Sequence, residues 1–375
     1  MKIIYLKTYF KKYLILLKLI ILKHNNLKIF ETMNFLSQSN PENTNQNQSN
    51  QNTINNIYNS SSQSMQSITN KFEEKIIEVY QDNFIKEIKR IGKYLKQYPY
   101  IGMDTEFPGI VYPCTCTNSD FYYHYIKTNV DKLKLIQLGI TLTNAKGEKP
   151  PYTTTWQFNL KFDYENDIHS TESISLLYNS GINFHKLKKE GISHRLFAEY
   201  LTVSGMVLNE NVVWISFNGF SDFAYLLKLL TGDLLPNNTN EFLELLKIYF
   251  PNAYDIKYLI KDNELYKGGL VKISKELNIE RKGEVHQAGS DSLVTSEVFF
   301  KLIENNSISK NDINFGKNIM YGIGEGADGS ETFTYTKFAP GIDISVLLHN
   351  INQDVNLRRQ NINNMNNNIE LNHNI

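Results

Sequence analysis

The sequence has few cysteines, no net charge and no long apolar run, and each absence argues against a class of protein. Among 375 residues only two are cysteine, Cys114 and Cys116. A disulfide scaffold is therefore excluded, a reducing compartment is expected, and zinc is not favoured because no second ligand pair lies nearby. Lysine plus arginine and aspartate plus glutamate both number 39, so the positive excess of many nucleic-acid-binding proteins is missing. Zero net charge argues against a strongly basic nucleic-acid-binding domain but does not exclude a nucleic-acid partner, because a metal site can hold phosphate without one.

The amino-terminal segment does not have the pattern of a membrane span. Met1–Phe30 contains no acidic residue, and its apolar stretch Tyr13–Leu22 is interrupted by Lys18, well short of the ~20 residues that a spanning helix needs. Residues 1–32 therefore form a basic, apolar extension with two open interpretations. Either the start is over-extended and Met33 is the true one, or the segment is a targeting or membrane-surface helix.

Composition divides the rest of the chain into one domain and two tails. Residues 33–71 are rich in Asn, Gln and Ser, residues 325–375 are rich in Asn, and both are expected to be largely disordered because they have little to bury. Residues 72–324 hold most of the apolar content, and their length suits a single folded domain.

The pattern of the middle segment predicts an α/β fold. Helical spacing predicts one or two helices over Phe72–Leu95, and apolar runs bounded by turn residues predict strands. The predicted strands are Tyr100–Phe107, Leu133–Leu142, Thr154–Phe162, Val212–Phe217 and Tyr254–Leu259. The predicted later helices are Glu172–Leu177, Leu196–Val203, Asp222–Leu230, Glu241–Tyr249, Gly269–Leu277 and Ser290–Glu304. We expect a mixed five-stranded sheet flanked by helices, with its first three strands forming an antiparallel meander.

Two acids close the first predicted strand, in Met103-Asp-Thr-Glu-Phe-Pro-Gly109. Side chains two apart in a strand share a face and lie roughly 6.5 to 7 Å apart. Asp104 and Glu106 should therefore address one site, with Thr105 on the opposite face.

Two further acids and a histidine occupy similar places later in the chain. Asp222 lies where a buried strand passes into a helix, and His286 precedes Asp291 at another helix start. The histidine and Asp291 can share a site only if His286 lies in the turn before the helix, for which Gly289 and an N-cap at Ser290 are expected. Taken singly, each acid has a plain alternative, since helix starts favour acids by ~0.3 to 1 kcal/mol.

Together, four clustered acids require a counter-charge. Two carboxylates ~5 Å apart repel by about 3 kcal/mol at an effective dielectric near 20. Two divalent cations would cancel four such charges, and Mg²⁺ prefers carboxylate oxygen. Paired ions stabilise the attacking and leaving oxygens of a phosphodiester displacement, and a histidine can act as the general base.

The order of these residues resembles a known group of nucleases. The patterns D-x-E, N-x-x-x-D and H-x-x-x-x-D are similar to those of the histidine-containing DEDD 3′ to 5′ exonucleases, which have the ribonuclease-H-like fold. Other stretches narrow the resemblance to the Caf/Pop-type deadenylases, the nuclease subunits of the Ccr-Not complex. They are Leu135-Ile-Gln-Leu-Gly139, Thr155-Trp-Gln-Phe158, Lys267-Gly-Gly-Leu270 and His286-Gln-Ala-Gly-Ser-Asp-Ser-Leu293.

The resemblance implies an activity and a set of roles. Asp104, Glu106, Asp222 and Asp291 would bind two divalent ions, Mg²⁺ or Mn²⁺, and His286 would be the general base. The implied reaction removes AMP from the 3′ end of mRNA poly(A). The implied partners are poly(A) RNA, the Not scaffold, a Ccr-type nuclease and Tob/BTG-like adaptors; no membrane is expected. The expected location is cytoplasm and nucleus, with a targeting role of residues 1–32 left open.

Substrate contacts are less defined than the acids. Phe107 is a candidate for stacking on a base, with core packing as the alternative, and Asn218 is a second candidate. Asp255 is interpreted as structural. Asn218-Gly-Phe-Ser-Asp222 departs from the family's His-Ser-Gly-Tyr-Asp but keeps the acid, so RNA positioning at this turn is expected to differ.

Three alternatives remain at the sequence level. A scaffold or adaptor with the same fold need not keep all four acids. A DEDD exonuclease acting on DNA or short oligoribonucleotides would differ only in substrate. The larger poly(A)-specific ribonucleases are the nearest enzymatic alternative, but the expected RNA-binding insertions are missing.

Overall fold

A mixed sheet of six strands forms the centre of the computed structural model, which describes residues 75–113, 121–151 and 154–323. The strands are β1 (Ile76–Val79), β2 (Tyr100–Glu106), β3 (Gln137–Thr143), β4 (Thr155–Asn159), β5 (Val213–Ser216) and β6 (Ala253–Asp255). Their order across the sheet is β1-β4-β3-β2-β5-β6. The predicted meander is confirmed, because β2, β3 and β4 pair antiparallel, whereas β1, β5 and β6 each join parallel to a neighbour.

The predicted count of five strands is wrong by one. The start of the segment predicted as helical, Ile76–Val79, is a strand that pairs with Thr155–Phe158 of β4. Its apolar residues also fit a helical period, but the run is short and rich in β-branched residues, and a free sheet edge decides its conformation.

Eleven helices lie among the described residues. They are α1 (Phe84–Tyr94), α2 (Phe121–Val130), α3 (Thr171–Asn179), α4 (Phe184–Glu190), α5 (His194–Val203), α6 (Phe220–Thr231), α7 (Thr239–Tyr249), α8 (Ile256–Leu259), α9 (Leu270–Glu276), α10 (Ala288–Glu304) and α11 (Lys310–Phe315). Helices α3, α5, α6, α7, α9 and α10 match the six later helices predicted above, and α1 matches the second half of the helical segment predicted over Phe72–Leu95. Helices α2, α4, α8 and α11 were not predicted. The predicted fifth strand is shorter than expected, because the chain turns into α8 after Asp255.

The two faces of the sheet are covered differently. Ile101 and Met103 of β2 are fully buried in a large apolar cluster shared with α1, α2, α5, α6 and α7. Ile215 of β5 faces a second cluster, formed with α8, α9 and α10. Side chains alternate along a strand, so β2 turns its apolar residues to the first face and leaves the second for Gly102, Asp104 and Glu106.

Helix α10 lies unusually close to β2 and β3 because the sheet has glycine beneath it. A Cβ on Gly139 would lie 1.8 Å from the carbonyl oxygen of Ala288, and a Cβ on Gly102 would lie 2.7 Å from Cβ of Ser296. Gly139 is the partner of Asp104 in the β2–β3 ladder. The first turn of α10 is therefore held directly beside the predicted acidic pair.

Several sequence-level predictions fall outside the described residues. Cys114, Cys116, the amino-terminal extension and both low-complexity tails are among them, so those predictions stay as they are. Within the described ranges, no helix combines the length and apolarity needed to cross a bilayer.

Gly139→Ala tests the close approach of α10. The added methyl group must displace the helix backbone, so we expect a loss of about 3 kcal/mol in the free energy of unfolding, the upper end of overpacking costs. Urea denaturation measures the change. Gly269→Ala is the matched control, because Gly269 has a negative φ and no atom lies within 4 Å of the position that its added methyl group would take. Equal stability of the two variants would contradict the close contact.

Candidate active site

Strand β2 brings Asp104 and Glu106 to the face of the sheet that α10 covers. Both follow Gly102 at intervals of two, and Gly102 contacts Ser292 and Ser296 of α10. Both acids are half-buried. No described residue donates a hydrogen bond to either carboxylate, although buried polar groups are normally paired.

Asp222 reaches the same end of β2 from helix α6. It lies in the first turn of that helix and is 8% exposed. Its Oδ1 accepts hydrogen bonds from the Thr105 N–H at 3.0 Å and from the Thr105 hydroxyl. Thr105 therefore orients the carboxylate of Asp222. The sequence did not reveal this role, because it indicates only that the Thr105 side chain lies on the opposite face of the strand from Asp104 and Glu106.

Asp291 and His286 meet at the start of α10. His286 precedes the helix, as predicted, and adopts a φ of 63°, a region that non-glycine residues occupy at a cost. The Asp291 carboxylate stabilises this turn, because its Oδ2 accepts the His286 N–H at 2.9 Å. The prediction of Ser290 as N-cap is wrong: Gln287 is the N-cap, and the Ser290 hydroxyl donates to the carbonyl of Lys282.

Three of the five predicted side chains form a compact ligand group. One oxygen of Glu106, one ring nitrogen of His286 and one oxygen of Asp291 all lie within 4.8 Å of one another. His286 is exposed at the rim, whereas Asp291 is 6% exposed. Asp104 and Asp222 are close enough to this group for electrostatic interaction with its carboxylates, as the pKa values below indicate.

The acids raise one another's pKa values. Burial raises the pKa of Asp104 well above its ordinary value, and the charges of Asp222, Asp291 and Glu106 raise it further. Burial and the charges of Asp291 and Asp222 likewise raise the pKa of Glu106 well above normal. Burial raises the pKa of Asp222 to about 6, although its hydrogen bonds with Thr105 act in the opposite direction. The site therefore carries more negative charge than the protein neutralises.

A network of amide side chains caps α10 from the sheet. Helix α10 has no cap from its own N-cap side chain. Instead, the N–H groups of Ala288 and Gly289 donate to the side-chain oxygens of Gln137 at 3.3 Å and Gln157 at 2.8 Å. Both glutamines also donate to the side-chain oxygen of Gln287. The sheet thus supplies the partners that the helix start requires.

Glu78 anchors this network at the sheet edge. Its two carboxylate oxygens accept hydrogen bonds from Gln157 at 2.9 Å and from Asn159 at 2.7 Å. No sequence signal identifies the network, because its members come from three strands and a helix start that only the folded sheet brings together.

The candidate substrate residues, Phe107 and Asn218, lie close in the sequence to two of the four acids. Phe107 is half-buried and stacks on Tyr225, with ring centroids 4.9 Å apart. Asn218 has a φ of 58°, which asparagine tolerates better than most residues. Its N–H donates to Asp255 at 2.7 Å. Phe107 thus has a packing partner, and Asn218 lies in a turn fixed by a buried carboxylate.

The sheet and its acid cluster define an α/β protein with a carboxylate-lined site. A family model described as CAF1 family ribonuclease matches residues 79–203 and 197–299. These matches span more than half of the chain, and the protein therefore belongs to the CAF1 ribonuclease family. It is a nuclease, and the α/β fold predicted from the pattern of apolar residues is confirmed.

Individual relatives agree with this assignment. A probable CCR4-associated factor 1 homolog 7 from Arabidopsis thaliana is 46% identical over 67% of this chain and 94% of the relative. The poly(A) ribonuclease pop2 of Schizosaccharomyces pombe is 44% identical over 60% of this chain and 69% of the relative. A structure of S. pombe Pop2p with Mg²⁺ and Mn²⁺ bound has a TM-score of 0.63 at 41% identity, covering 66% of this chain and 99% of that one.

The residues present fit divalent metal ions. Carboxylate oxygens are the preferred donors for both Mg²⁺ and Mn²⁺. Asp104 and Glu106 offer carboxylates to which no described residue donates a hydrogen bond, and Glu106 shares a ligand group with Asp291 and His286. A bound cation would neutralise the excess negative charge of these carboxylates.

The raised pKa values predict a pH dependence of the metal-free protein. In the unfolded chain these acids lose their protons near pH 4, whereas the folded protein keeps protons to higher pH, to about 6 for Asp222. Raising the pH removes protons bound only by the folded state, so the free energy of unfolding should fall between about pH 4 and about pH 7. Urea titrations in EDTA measure it. The increase in the free energy of unfolding that Mn²⁺ causes, relative to EDTA, should grow with pH, because metals bind deprotonated carboxylates. Stability that rises with pH in EDTA would contradict the charge cluster.

Asp104→Asn should stabilise the metal-free protein while removing its response to metal. The substitution keeps the shape but removes a charge that three neighbouring acids repel. We expect a gain of about 1 kcal/mol in the free energy of unfolding near pH 8, in keeping with strain stored at active sites. Asp222→Asn is the contrasting variant, since Asp222 accepts two hydrogen bonds from Thr105 and should gain less. Destabilisation by Asp104→Asn would show that this carboxylate is satisfied within the fold.

Proposed function

We propose that the protein is a metal-dependent 3′ to 5′ exoribonuclease that shortens poly(A) tails and releases AMP as part of a Ccr-Not complex. The observation that carries the proposal is the ligand group of Glu106, His286 and Asp291, set among further carboxylates of raised pKa. Family membership supports it, and so does the name of the fission yeast relative, a poly(A) ribonuclease.

In this proposal the four acids bind the metal ions and His286 transfers a proton. Asp104, Glu106, Asp222 and Asp291 would hold two divalent ions, whose charge of four positive units equals that of the four carboxylates. When bound, such ions stabilise the attacking and leaving oxygens of the phosphodiester. Magnesium and manganese are the proposed metals, because both were bound in the similar fission yeast protein.

His286 serves as the general base in this proposal. It lies at the exposed rim, and Asp291 fixes its backbone through the His286 N–H. The imidazole takes a proton from water as the water oxygen bonds to phosphorus. The bond between phosphorus and the 3′ oxygen of the preceding nucleotide breaks, that oxygen takes up a proton, and AMP leaves. Histidine suits this role because a ring nitrogen of the neutral imidazole accepts a proton.

The proposed partners follow from the relatives and the resemblance. A solved complex of the yeast NOT1 MIF4G domain with CAF1 has a TM-score of 0.57 at 30% identity, covering 66% of this chain and 96% of that one. A Not scaffold is therefore the best-supported partner. A Ccr-type nuclease, Tob/BTG-like adaptors and a location in cytoplasm and nucleus rest on the family resemblance alone. Phe107 and Asn218 are the proposed contacts to poly(A), Phe107 because an aromatic ring can stack on a base.

Hydrolysis of oligo(A) tests the proposal. Purified protein with Mg²⁺ or Mn²⁺ should remove AMP stepwise from the 3′ end of a 5′-labelled oligo(A), faster than from mixed RNA or single-stranded DNA. Asp291→Asn should lower the rate by about 100-fold or more, because a metal-binding carboxylate supports several kcal/mol of transition-state stabilisation.

The controls separate the alternatives. Asp262→Asn changes an exposed acid outside the site and should leave the rate unchanged. Equal rates on DNA and oligo(A) would favour a general exonuclease. An intact oligo(A) with no detectable Mn²⁺ binding by calorimetry would favour a scaffold and overturn the proposal.

A further inference from the structure

Arg281 is a basic residue of the site to which the proposed reaction gives no role. It lies in the loop before α10, and its side chain is 17% exposed. Its Nη1 donates to Asp291 Oδ1 at 2.6 Å and to the Ser290 hydroxyl oxygen at 3.0 Å. The guanidinium group is therefore fixed to the first turn of α10.

The other terminal nitrogen of Arg281 is an unused donor. Nη2 is buried and has no hydrogen-bond partner among the described residues. Leaving a buried donor unpaired costs about 1 to 3 kcal/mol, more for a charged group. The ion pair with Asp291 uses Nη1 and does not explain Nη2. A guanidinium group with one nitrogen fixed and the other unpaired is suited to donate a charge-assisted hydrogen bond to an oxyanion such as phosphate.

The charge of the site points to the same ligand. With two divalent ions bound, the four carboxylates are neutralised, and Arg281 leaves one positive charge. A phosphodiester carries one negative charge, so the complete site would be neutral with substrate present. This argument rests on the proposed function, because it assumes the two ions.

We propose that Arg281 is a substrate-binding residue whose Nη2 donates to a non-bridging oxygen of the phosphate of the 3′-terminal nucleotide. The same contact holds the phosphate of the AMP product. The Nη1 contact with Asp291 orients the guanidinium group before substrate arrives, which lowers the ordering cost of binding.

Comparing AMP with adenosine isolates the phosphate contact. Calorimetry with saturating Mn²⁺ should give an AMP affinity about 10-fold weaker for Arg281→Gln than for wild type, a typical effect of one charge-assisted hydrogen bond. Adenosine affinity should not change, because adenosine lacks the phosphate. Arg281→Lys should recover part of the loss, since it restores the charge but not the fork.

Mn²⁺ titration without nucleotide completes the experiment. Arg281→Gln should bind Mn²⁺ at least as tightly as wild type, because a positive charge beside Asp291 has been removed. Arg195→Gln is the matched control, because the Arg195 side chain is 91% exposed and, among the residues that the structure describes, forms an ion pair only with Glu199. Thermal unfolding of each variant verifies that it is folded.

The outcomes separate this inference from the proposed function. Unchanged AMP binding, an equal loss for AMP and adenosine, or loss of Mn²⁺ binding in Arg281→Gln would each overturn the role of Arg281. Wild-type protein that binds Mn²⁺ and AMP but leaves oligo(A) intact would contradict the proposed function, while the comparison of AMP with adenosine would still decide the role of Arg281.

Discussion

The close approach of helix α10 to the sheet is the constraint on which the site depends. Gly139 and Gly102 leave no side chain between strand and helix, and the backbone of Ala288 lies where a Cβ of Gly139 would be. Gly139 is paired with Asp104 in the β2–β3 ladder. A larger residue at position 139 would therefore move the start of α10 away from Asp104. Asp291, His286 and Arg281 all belong to that helix start or the loop before it, so a single packing distance sets the position of three functional groups.

Holding this site together requires the rest of the fold to offset an unfavourable charge cluster. Burial and mutual repulsion raise the pKa values of Asp104 and Glu106, so ionising them in the metal-free protein costs stability. Large apolar clusters on both faces of the sheet supply the opposing free energy. The amide network anchored at Glu78 adds directional contacts that keep the α10 terminus in place. A rigid scaffold is what allows a repulsive site to persist until cations bind.

The sequence predicts the acids better than it predicts what holds them. The two-residue period of a strand was enough to put Asp104 and Glu106 on one face, and turn residues located Asp222 and His286 at element ends. Thr105 and Gln157 could not be predicted, because their partners Asp222 and Gly289 lie 117 and 132 residues away. Arg281 contacts Asp291 only 10 residues further on, but the loop before α10 has no periodic pattern that would fix the direction of its side chain. The prediction of a helix at β1 was wrong for a related reason. Four residues fit the period of a helix as well as that of a strand, and only pairing with the edge of β4 selects a strand.

The turn before α6 explains how the chain departs from the family pattern while keeping its acid in place. Asp255 is fully buried and accepts hydrogen bonds from the backbone N–H groups of Asn218, Gly219, Lys257 and Tyr321. These contacts involve backbone N–H groups, so the side chain of Asn218 takes no part in them. Asn218 fits the left-handed conformation, and Gly219 leaves room for Ser216, whose Oγ would lie 2.1 Å from a Cβ there. The start of α6, and Asp222 with it, is therefore independent of the family's histidine and tyrosine at this turn. The position of the Asp222 carboxylate therefore follows from the contacts of Asp255 and Thr105.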